Sequence, residues 1–472
     1  MTYDALKVEL QNHNQDHVLA YFDTLPDDGK QQLLSQLSAV EWDQIDSWID
    51  EYVVNKPDVD IPVDLSPAPY IPLIPENDEQ AALLKSAEAR GWELLKAGQV
   101  AAFTVAGGQG TRLGFDGPKG TFPVAPISGK TLFQWFAESL KRFSEIAGKV
   151  IPWYIMTSPM NDEPTRAFFK ENAYFGLHAG DVMFFPQGTM PAFDYQGKLL
   201  LAGKDSLALS PDGHGGSLKA LVKSGATADM AKHGIVHLNY FQVDNPLVSV
   251  INPTFIGIHD LKQADMSSRC LPKAEPFEKI GAFCMSEGKQ MIVEYSDLPD
   301  ELATQTDEQG RLRYRAGSPA IHVLRRDFIE RLMESGSCKL PFHRAEKKIP
   351  FLDEAGNPVK PETPNGVKLE MFVFDALPMA KNPVILEACR EDEFGPVKNK
   401  TGVDSVESSR QLMQERFAGW LKGRGVHVPR KADGTLDIAL EINPASYVTE
   451  EDFQQADLSG YSFEAGSQVH IV

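Results

Sequence analysis

Between Val105 and Lys119 the chain reads VAGGQGTRLGFDGPK. Glycines crowd a turn whose far end carries Arg112 and Lys119, and the apolar run Val100–Val105 leads straight into it. A backbone with so few side chains can lie against a nucleotide while two fixed cations meet its phosphates. The loop lacks the Gly-Lys-Ser/Thr ending of a P-loop. Gly108, Gly110 and Gly114 are spaced GxGxxxG rather than GxGxxG, so neither of those phosphate loops is present.

Other residues offer matching chemistry. Asp244 ends the strand-like run IVHLNYFQVD and precedes Asn245. An acid at a strand end is placed to hold Mg²⁺ or orient a phosphate, although it could equally cap the next helix. Gln187, between Pro186 and Gly188, supplies an amide able to pair with both a donor and an acceptor on a base edge. The run Pro211–Gly216 combines Gly213 with one imidazole, His214. Glu294, in IVEYSD, could accept sugar hydroxyls or simply pair within a strand. Lys368 and Lys398 are cations that spacing alone does not single out. Lys398, close to Glu391, Asp392 and Glu393, reads equally well as a solvated ion-pair partner.

These groups need a scaffold, and the apolar pattern supplies one. Residues 1 to about 97 read as helical, with Leu33, Leu34, Leu37 and Val40, then Ile45, Trp48, Ile49 and Val53, at helical intervals. The proline-rich run from Lys56 to Pro75 reads as an extended strap, and Glu79–Ala97 returns to helix. Strands are expected at Val100–Val105, Val150–Thr157, Val182–Phe185, Ile235–Val243 and Ile321–Leu324. Between two of them, Thr131–Ile146 carries a helical stripe of Leu132, Phe136, Leu140 and Phe143. Strand–helix alternation predicts a largely parallel α/β sheet. Gln290–Tyr295 reads as one arm of an inserted hairpin, Glu407–Leu421 as a helix, and the end of the chain as a short β-like tail.

A chain of 472 residues is longer than one average domain. With 42% hydrophobic and 24% charged residues it has the composition of a soluble globular protein. No run reaches the ~18 apolar residues of a membrane span, and the polar N-terminus does not resemble a signal peptide. Cys270, Cys284, Cys338 and Cys389 have no metal-ligand spacing and suit reduced thiols in a cytoplasm. A net charge of −20 disfavours nucleic acid and anionic membranes as partners. It also means that a bound triphosphate needs cations concentrated locally, Arg112 and Lys119 among them, with help from Mg²⁺.

The ordered segments AGGQGTRLGFDGPKG, FFPQGTMPAF, SPDGHGG, VDNPL, VEYSD, KKIPFLD, PNGVKLEMFVFD and REDEFGPVKN resemble those of the UDP-sugar pyrophosphorylases. The eukaryotic-type UDP-N-acetylglucosamine branch is the most similar, over about residues 80 to 410. The resemblance implies an α/β fold: a Rossmann-like, GT-A-like nucleotidyltransferase core with a mixed sheet, a helical N-terminal region and a small C-terminal domain. Its boundaries would fall at 1–98, 99–390 and 391–472. It further implies that Gly107 and Gly108 lie under uracil while Gln187 and Gly213 read its edge, with Ala106 also binding the nucleotide. Arg112, Lys119 and Lys398 would surround the phosphates in catalytic roles, with Lys368 near them, and Asp244 would serve the metal. Glu294, Phe372 and Phe374 would face the sugar.

Two departures fall on the sugar side. The branch has asparagine where this chain has His214, and histidine there is typical of UDP-glucose and broad-range pyrophosphorylases. A second expected asparagine is Ser318. Met371 in place of a lysine is a third, less telling change. The implied reaction is UTP plus a sugar 1-phosphate giving a UDP-sugar and pyrophosphate, with Mg²⁺ as cofactor. N-acetylglucosamine 1-phosphate is the first expected acceptor; a glucose 1-phosphate or broad-range enzyme is the alternative favoured by His214. A glycosyltransferase on a similar core would usually carry an Asp-x-Asp site, whereas VDNPL has one acid. A non-enzymatic sensor would not need the full set of phosphate-binding cations.

Overall fold

The run VAAFTV forms the strand Val100–Val105, buried along almost its whole length. A strand covered on both faces needs this continuous apolar composition rather than alternation. The computed structural model describes residues 2–56, 61–334 and 338–472. These group into two compact units: one from the described residues of 1–60, 187–219 and 338–375, the other from 61–186, 220–337 and 376–472.

The larger unit is built on an 11-stranded sheet. Val100–Val105 lies parallel to His237–Gln242 on one side and to Trp153–Thr157 on the other, and Val182–Pro186 continues in parallel beyond. The rest departs from the largely parallel sheet that strand–helix alternation predicts. His322–Arg325 sits antiparallel between His237–Gln242 and Met266–Pro272. Ala282–Ser286 and Lys289–Val293 form an antiparallel hairpin, the inserted arm that Gln290–Tyr295 suggested. Val384–Glu387 restores a parallel pairing, against Met266–Pro272. Periodicity marks the five expected strands and the hairpin arm but not Met266–Pro272, Ala282–Ser286 or Val384–Glu387, and it carries no sign of direction, which is why the mixed character escapes that reading.

Helices cover the sheet. Leu132–Ala147 begins at Thr131, whose side chain accepts the Gln134 N–H, and ends at Gly148 in the left-handed region. Leu132, Phe136, Leu140 and Phe143 of its stripe are all buried. Asp78–Lys96 meets Pro253–Leu261 so closely that a Cβ on Gly257 would lie 1.7 Å from the Ala87 carbonyl oxygen. Part of the proline-rich strap runs extended here: Ser66–Pro67 pairs with Ala282–Ser286, and Ile71 bonds to Ile385 and Glu387. Residues 57–60 of that strap lie outside the described residues.

In the smaller unit, helices Tyr3–Asn12, Asp27–Ala39 and Trp42–Trp48 pack on a three-stranded sheet of Phe193–Asp194, His343–Lys347 and Gly366–Glu370. Leu6, Leu33, Leu37, Ile45 and Trp48 bury against Phe193, Val367 and Leu369. Among the described residues, no helix is long and apolar enough to cross a membrane.

Candidate active site

In the larger unit the glycine loop leaves the carboxyl end of Val100–Val105, flanked by the ends of two parallel neighbours. This is where open α/β sheets place their ligands. Ala106 is still tied to the sheet, its N–H donating to the Met156 carbonyl at 2.7 Å. The loop then closes on itself: the Lys119 N–H donates to the Gly108 carbonyl at 3.0 Å, and the Gly110 N–H to that of Gly117 at 2.9 Å. A Cβ on Gly108 would meet nothing within 4 Å. Gly108 is exposed, so no protein neighbour demands glycine there and the bare face opens to solvent.

Asn161 fixes this loop, and sequence reasoning did not find it. Its Nδ2 donates to the Gly107 carbonyl at 2.8 Å and the Gly108 carbonyl at 3.0 Å, and its Oδ1 accepts from Gln109 Nε2. It precedes helix Asp162–Glu171 yet makes no side-chain cap. Its position therefore reads as ordinary capping chemistry, while the side chain is used elsewhere.

Arg112 is exposed near the tip of the loop. Lys119 Nζ lies 3.3 Å from Asp244 Oδ2, with side chains 11% and 14% exposed. Asp244 does not cap the helix that follows; Asn252 does, accepting the Phe255 N–H. The Asp244 carbonyl accepts the Val397 N–H at 2.7 Å, bringing the Lys398 segment alongside. Asn245 secures the same segment, donating to the Glu393 carbonyl at 2.7 Å and accepting the Gly395 N–H at 3.1 Å. Lys398 Nζ turns to Asp404 at 3.5 Å rather than to the acids that precede it, Glu393 being engaged by Arg269. The glycine loop, Lys119, Asp244 and the Lys398 backbone thus form one cluster.

Glu294 and Ser318 each approach Gly281 within this unit. The Ser318 N–H donates to the Gly281 carbonyl at 2.9 Å. A Cβ on Gly281 would lie 3.2 Å from Glu294 Oε1, so both residues converge on one glycine.

The smaller unit holds the remaining candidates. Gln187 is nearly buried, and the carbonyl of its neighbour Gly188 accepts the Asp212 N–H at 3.2 Å. Gly213 has φ +84°, and a Cβ there would stand 2.3 Å from the Met371 carbonyl oxygen. Only glycine meets both demands. The backbones of the two segments are stitched together: Met371 N–H donates to the Asp212 carbonyl, and Gly215 N–H to that of Met371, each at 2.8 Å. His214 consequently stacks on Phe372, with ring centroids 5.1 Å apart and planes 10° from parallel, and Phe374 lies 5.7 Å away. The Val373 N–H donates to His214 Nδ1 at 3.2 Å. Burial, reinforced by nearby His343, pushes the His214 imidazole down to about 4. Lys368 sits on Gly366–Glu370 opposite Ala345. His343 and Asp375 join this cluster without any motif to announce them.

No group of three or more His, Cys, Asp or Glu residues able to hold a metal occurs among the described residues. Asp244 is a single carboxylate at the end of a strand, so it suits a divalent ion already chelated by phosphates better than a cage built by protein alone.

Residues 63–419 match the family described as UTP–glucose-1-phosphate uridylyltransferase. The chain is 37% identical to UDP-N-acetylhexosamine pyrophosphorylase-like protein 1 of Mus musculus, over 93% of this chain and 92% of that one. It is 34% identical to UDP-N-acetylglucosamine diphosphorylase 2 of Arabidopsis thaliana, over 99% and 94%. Among solved structures, the uridine diphosphate N-acetylglucosamine pyrophosphorylase of Trypanosoma brucei superposes with a TM-score of 0.80 at 27% identity, covering 96% of this chain and 94% of that one. The α/β architecture and these relatives are those of a nucleotidyltransferase. The chain belongs to the UTP–glucose-1-phosphate uridylyltransferase family.

Proposed function

We propose that this protein transfers the uridylyl group of UTP to a sugar 1-phosphate, with N-acetylglucosamine 1-phosphate as its main acceptor. A phosphate oxygen of the sugar phosphate bonds to the α-phosphorus of UTP as the bond to pyrophosphate breaks. The acceptor is already largely dianionic near pH 7, the second phosphate pKa being about 6. No general base is needed, and the enzyme's task is to align two anions and offset charge on the phosphoryl oxygens.

The observation that carries this reading is the Lys119–Asp244 pair at the carboxyl ends of adjacent parallel strands, beside a backbone loop open to solvent. Arg112, Lys119 and Lys398 are assigned to the phosphates, with Lys368 assisting. Asp244 would give one ligand to a divalent ion, Mg²⁺ in our reading, that enters with the nucleotide and withdraws charge from the phosphates. Ala106, Gly107, Gly108, Gln187 and Gly213 are assigned to uracil, and Glu294, Ser318, His214, Phe372 and Phe374 to the sugar. The names of the mouse and Arabidopsis relatives support an N-acetylhexosamine acceptor. All four cysteines are free thiols, which supports a cytoplasmic setting.

One observation favours a second reading, a glucose 1-phosphate or broad-range enzyme. His214 Nδ1 is already occupied by the Val373 N–H, so this side chain lacks the donor-plus-acceptor character of an asparagine amide. The test of the main reading is whether UTP and N-acetylglucosamine 1-phosphate release pyrophosphate together and neither does so alone.

A further inference from the structure

We infer that His343 is a positioning residue for sugar recognition: through Phe372 it holds His214 so that a single N–H donor, on Nε2, faces the acceptor sugar. The inference rests on the assignment of His214 and Phe372 to the sugar. Because His214 Nδ1 accepts the Val373 N–H, the proton of the neutral ring sits on Nε2. Burial keeps the ring neutral near pH 7. A donor of this kind serves an oxygen acceptor, either a ring hydroxyl or an acetamido carbonyl, and cannot accept from an acetamido N–H.

The direction of that donor depends on how the ring is held. The backbone on both sides is fixed by the Asp212–Met371 and Gly215–Met371 bonds, which leaves ring rotation as the remaining freedom. Phe372 limits it by stacking on His214. His343 packs on Phe372 in turn, with centroids 4.1 Å apart and planes at 26°. His343 Nε2 stands 2.7 Å from Asp375 Oδ2; the imidazole N–H donates to the carboxylate, and this bond locks the His343 ring plane. Asp375 lies three residues beyond Phe372, so the same short segment supplies the stacked ring and the anchor for the imidazole pressing on it. The chain Asp375–His343–Phe372–His214 sets the orientation of one donor.

Steady-state kinetics on the full-length protein, varying each substrate separately, tests this. In His343→Ala the KM for the sugar 1-phosphate should rise about fivefold, the factor expected from losing one ring–ring contact. The KM for UTP should stay within about twofold, a change too small to count as loss of one contact. His343→Phe, which keeps a ring against Phe372, should recover most of the sugar KM, whereas a merely structural defect would raise both KM values together. Asp375→Asn keeps the shape and weakens the anchor, and should shift the sugar KM in the same direction if His343→Ala does not fold. An unchanged sugar KM, a parallel rise in both KM values, or no recovery in His343→Phe overturns the inference. If the unmodified protein releases no pyrophosphate from UTP with any sugar 1-phosphate, the proposed function fails instead, so the two failures are distinguishable.

Discussion

Lys119, at the far end of the glycine loop, meets Asp244, just past the end of the strand His237–Gln242, Nζ to Oδ2 at 3.3 Å. The contact is single and rather long for a charge-assisted bond, and both side chains are largely shielded from solvent. A pair of this kind adds little to stability. It keeps a cation in place, and on the proposed function an arriving phosphate would take over the lysine.

Lys119→Ala should therefore lower kcat by about 10²–10³, the range seen when one preorganised donor to a developing anion is removed. The melting temperature should fall as well, because Asp244 is left without its partner in a largely shielded place. Circular dichroism melts and turnover measured on the same preparation check both halves. Turnover close to that of the unmodified protein would remove Lys119 from the phosphate-binding set.

Asn161 carries a different prediction. Its amide holds the carbonyls of Gly107 and Gly108 and so fixes the backbone of the nucleotide-loop candidate. Asn161→Asp keeps the shape but sets a carboxylate against two carbonyl oxygens. The KM for UTP should rise at least about tenfold, in line with losing charge-matched hydrogen bonds, while the sugar 1-phosphate KM moves less. Equal effects on both substrates would mean that Asn161 supports the fold in general and not the nucleotide loop.

The approach of two helices gives a prediction about stability alone. A Cβ at Gly257 would lie 1.7 Å from the Ala87 carbonyl oxygen, and one at Gly91 would lie 1.8 Å from that of Pro253. Gly257→Ala must push the helices apart, at a cost of about 2 kcal/mol or more. Chemical denaturation should show a lower midpoint, with KM values unchanged in the protein that remains folded. A midpoint equal to that of the unmodified chain would contradict the packing described.

Stability should also fall on acidification. Burial pushes His237 down to about 4, against the pull of Asp260, and holds His259 well below its usual range. The folded values lie below the unfolded value of about 6.5. Between these limits the unfolded chain binds more protons than the native one. Stability is thus fully present above about pH 6.5 and is lost as pH falls toward 4, each unit of depression being linked to about 1.4 kcal/mol. Thermal melts from pH 7.5 to 4.5 should slope downward, less steeply in His237→Gln. A steeper acid slope in that variant would reverse the sign argued for His237.

Much of this was legible in the sequence, and the reasons can be given residue by residue. Val100–Val105 and the Leu132, Phe136, Leu140 and Phe143 stripe announce themselves because burial on two faces or one leaves a fixed apolar period. The glycine loop is visible because packing alone seldom motivates glycines beside Arg112 and Lys119. Strand direction was not legible, and His322–Arg325 runs antiparallel where alternation suggested otherwise. Nor did the sequence disclose that 187–219 and 338–375 join the N-terminal helices in one unit. Asn161, Asn245, His343 and Asp375 stayed hidden for a common reason. Each acts through a partner tens or hundreds of residues away, as with Asn245 and Glu393, and such pairings leave no local period. The partner of Lys398 was missed for another reason: Asp404 is as near in sequence as Asp392, and the choice is made by a turn in which the Lys398 and Asn399 N–H groups donate to the Asp404 carbonyl.

The central claim is uridylyl transfer to an N-acetylhexosamine 1-phosphate. The most direct test supplies UTP and a divalent metal with the 1-phosphates of N-acetylglucosamine, N-acetylgalactosamine, glucose and galactose in turn, measuring pyrophosphate and the UDP-sugar formed. We predict equal amounts of pyrophosphate and UDP-sugar, with the highest kcat/KM for N-acetylglucosamine 1-phosphate. A higher kcat/KM for glucose 1-phosphate would transfer the acceptor assignment to the second reading. No pyrophosphate with any of the four would contradict the account itself.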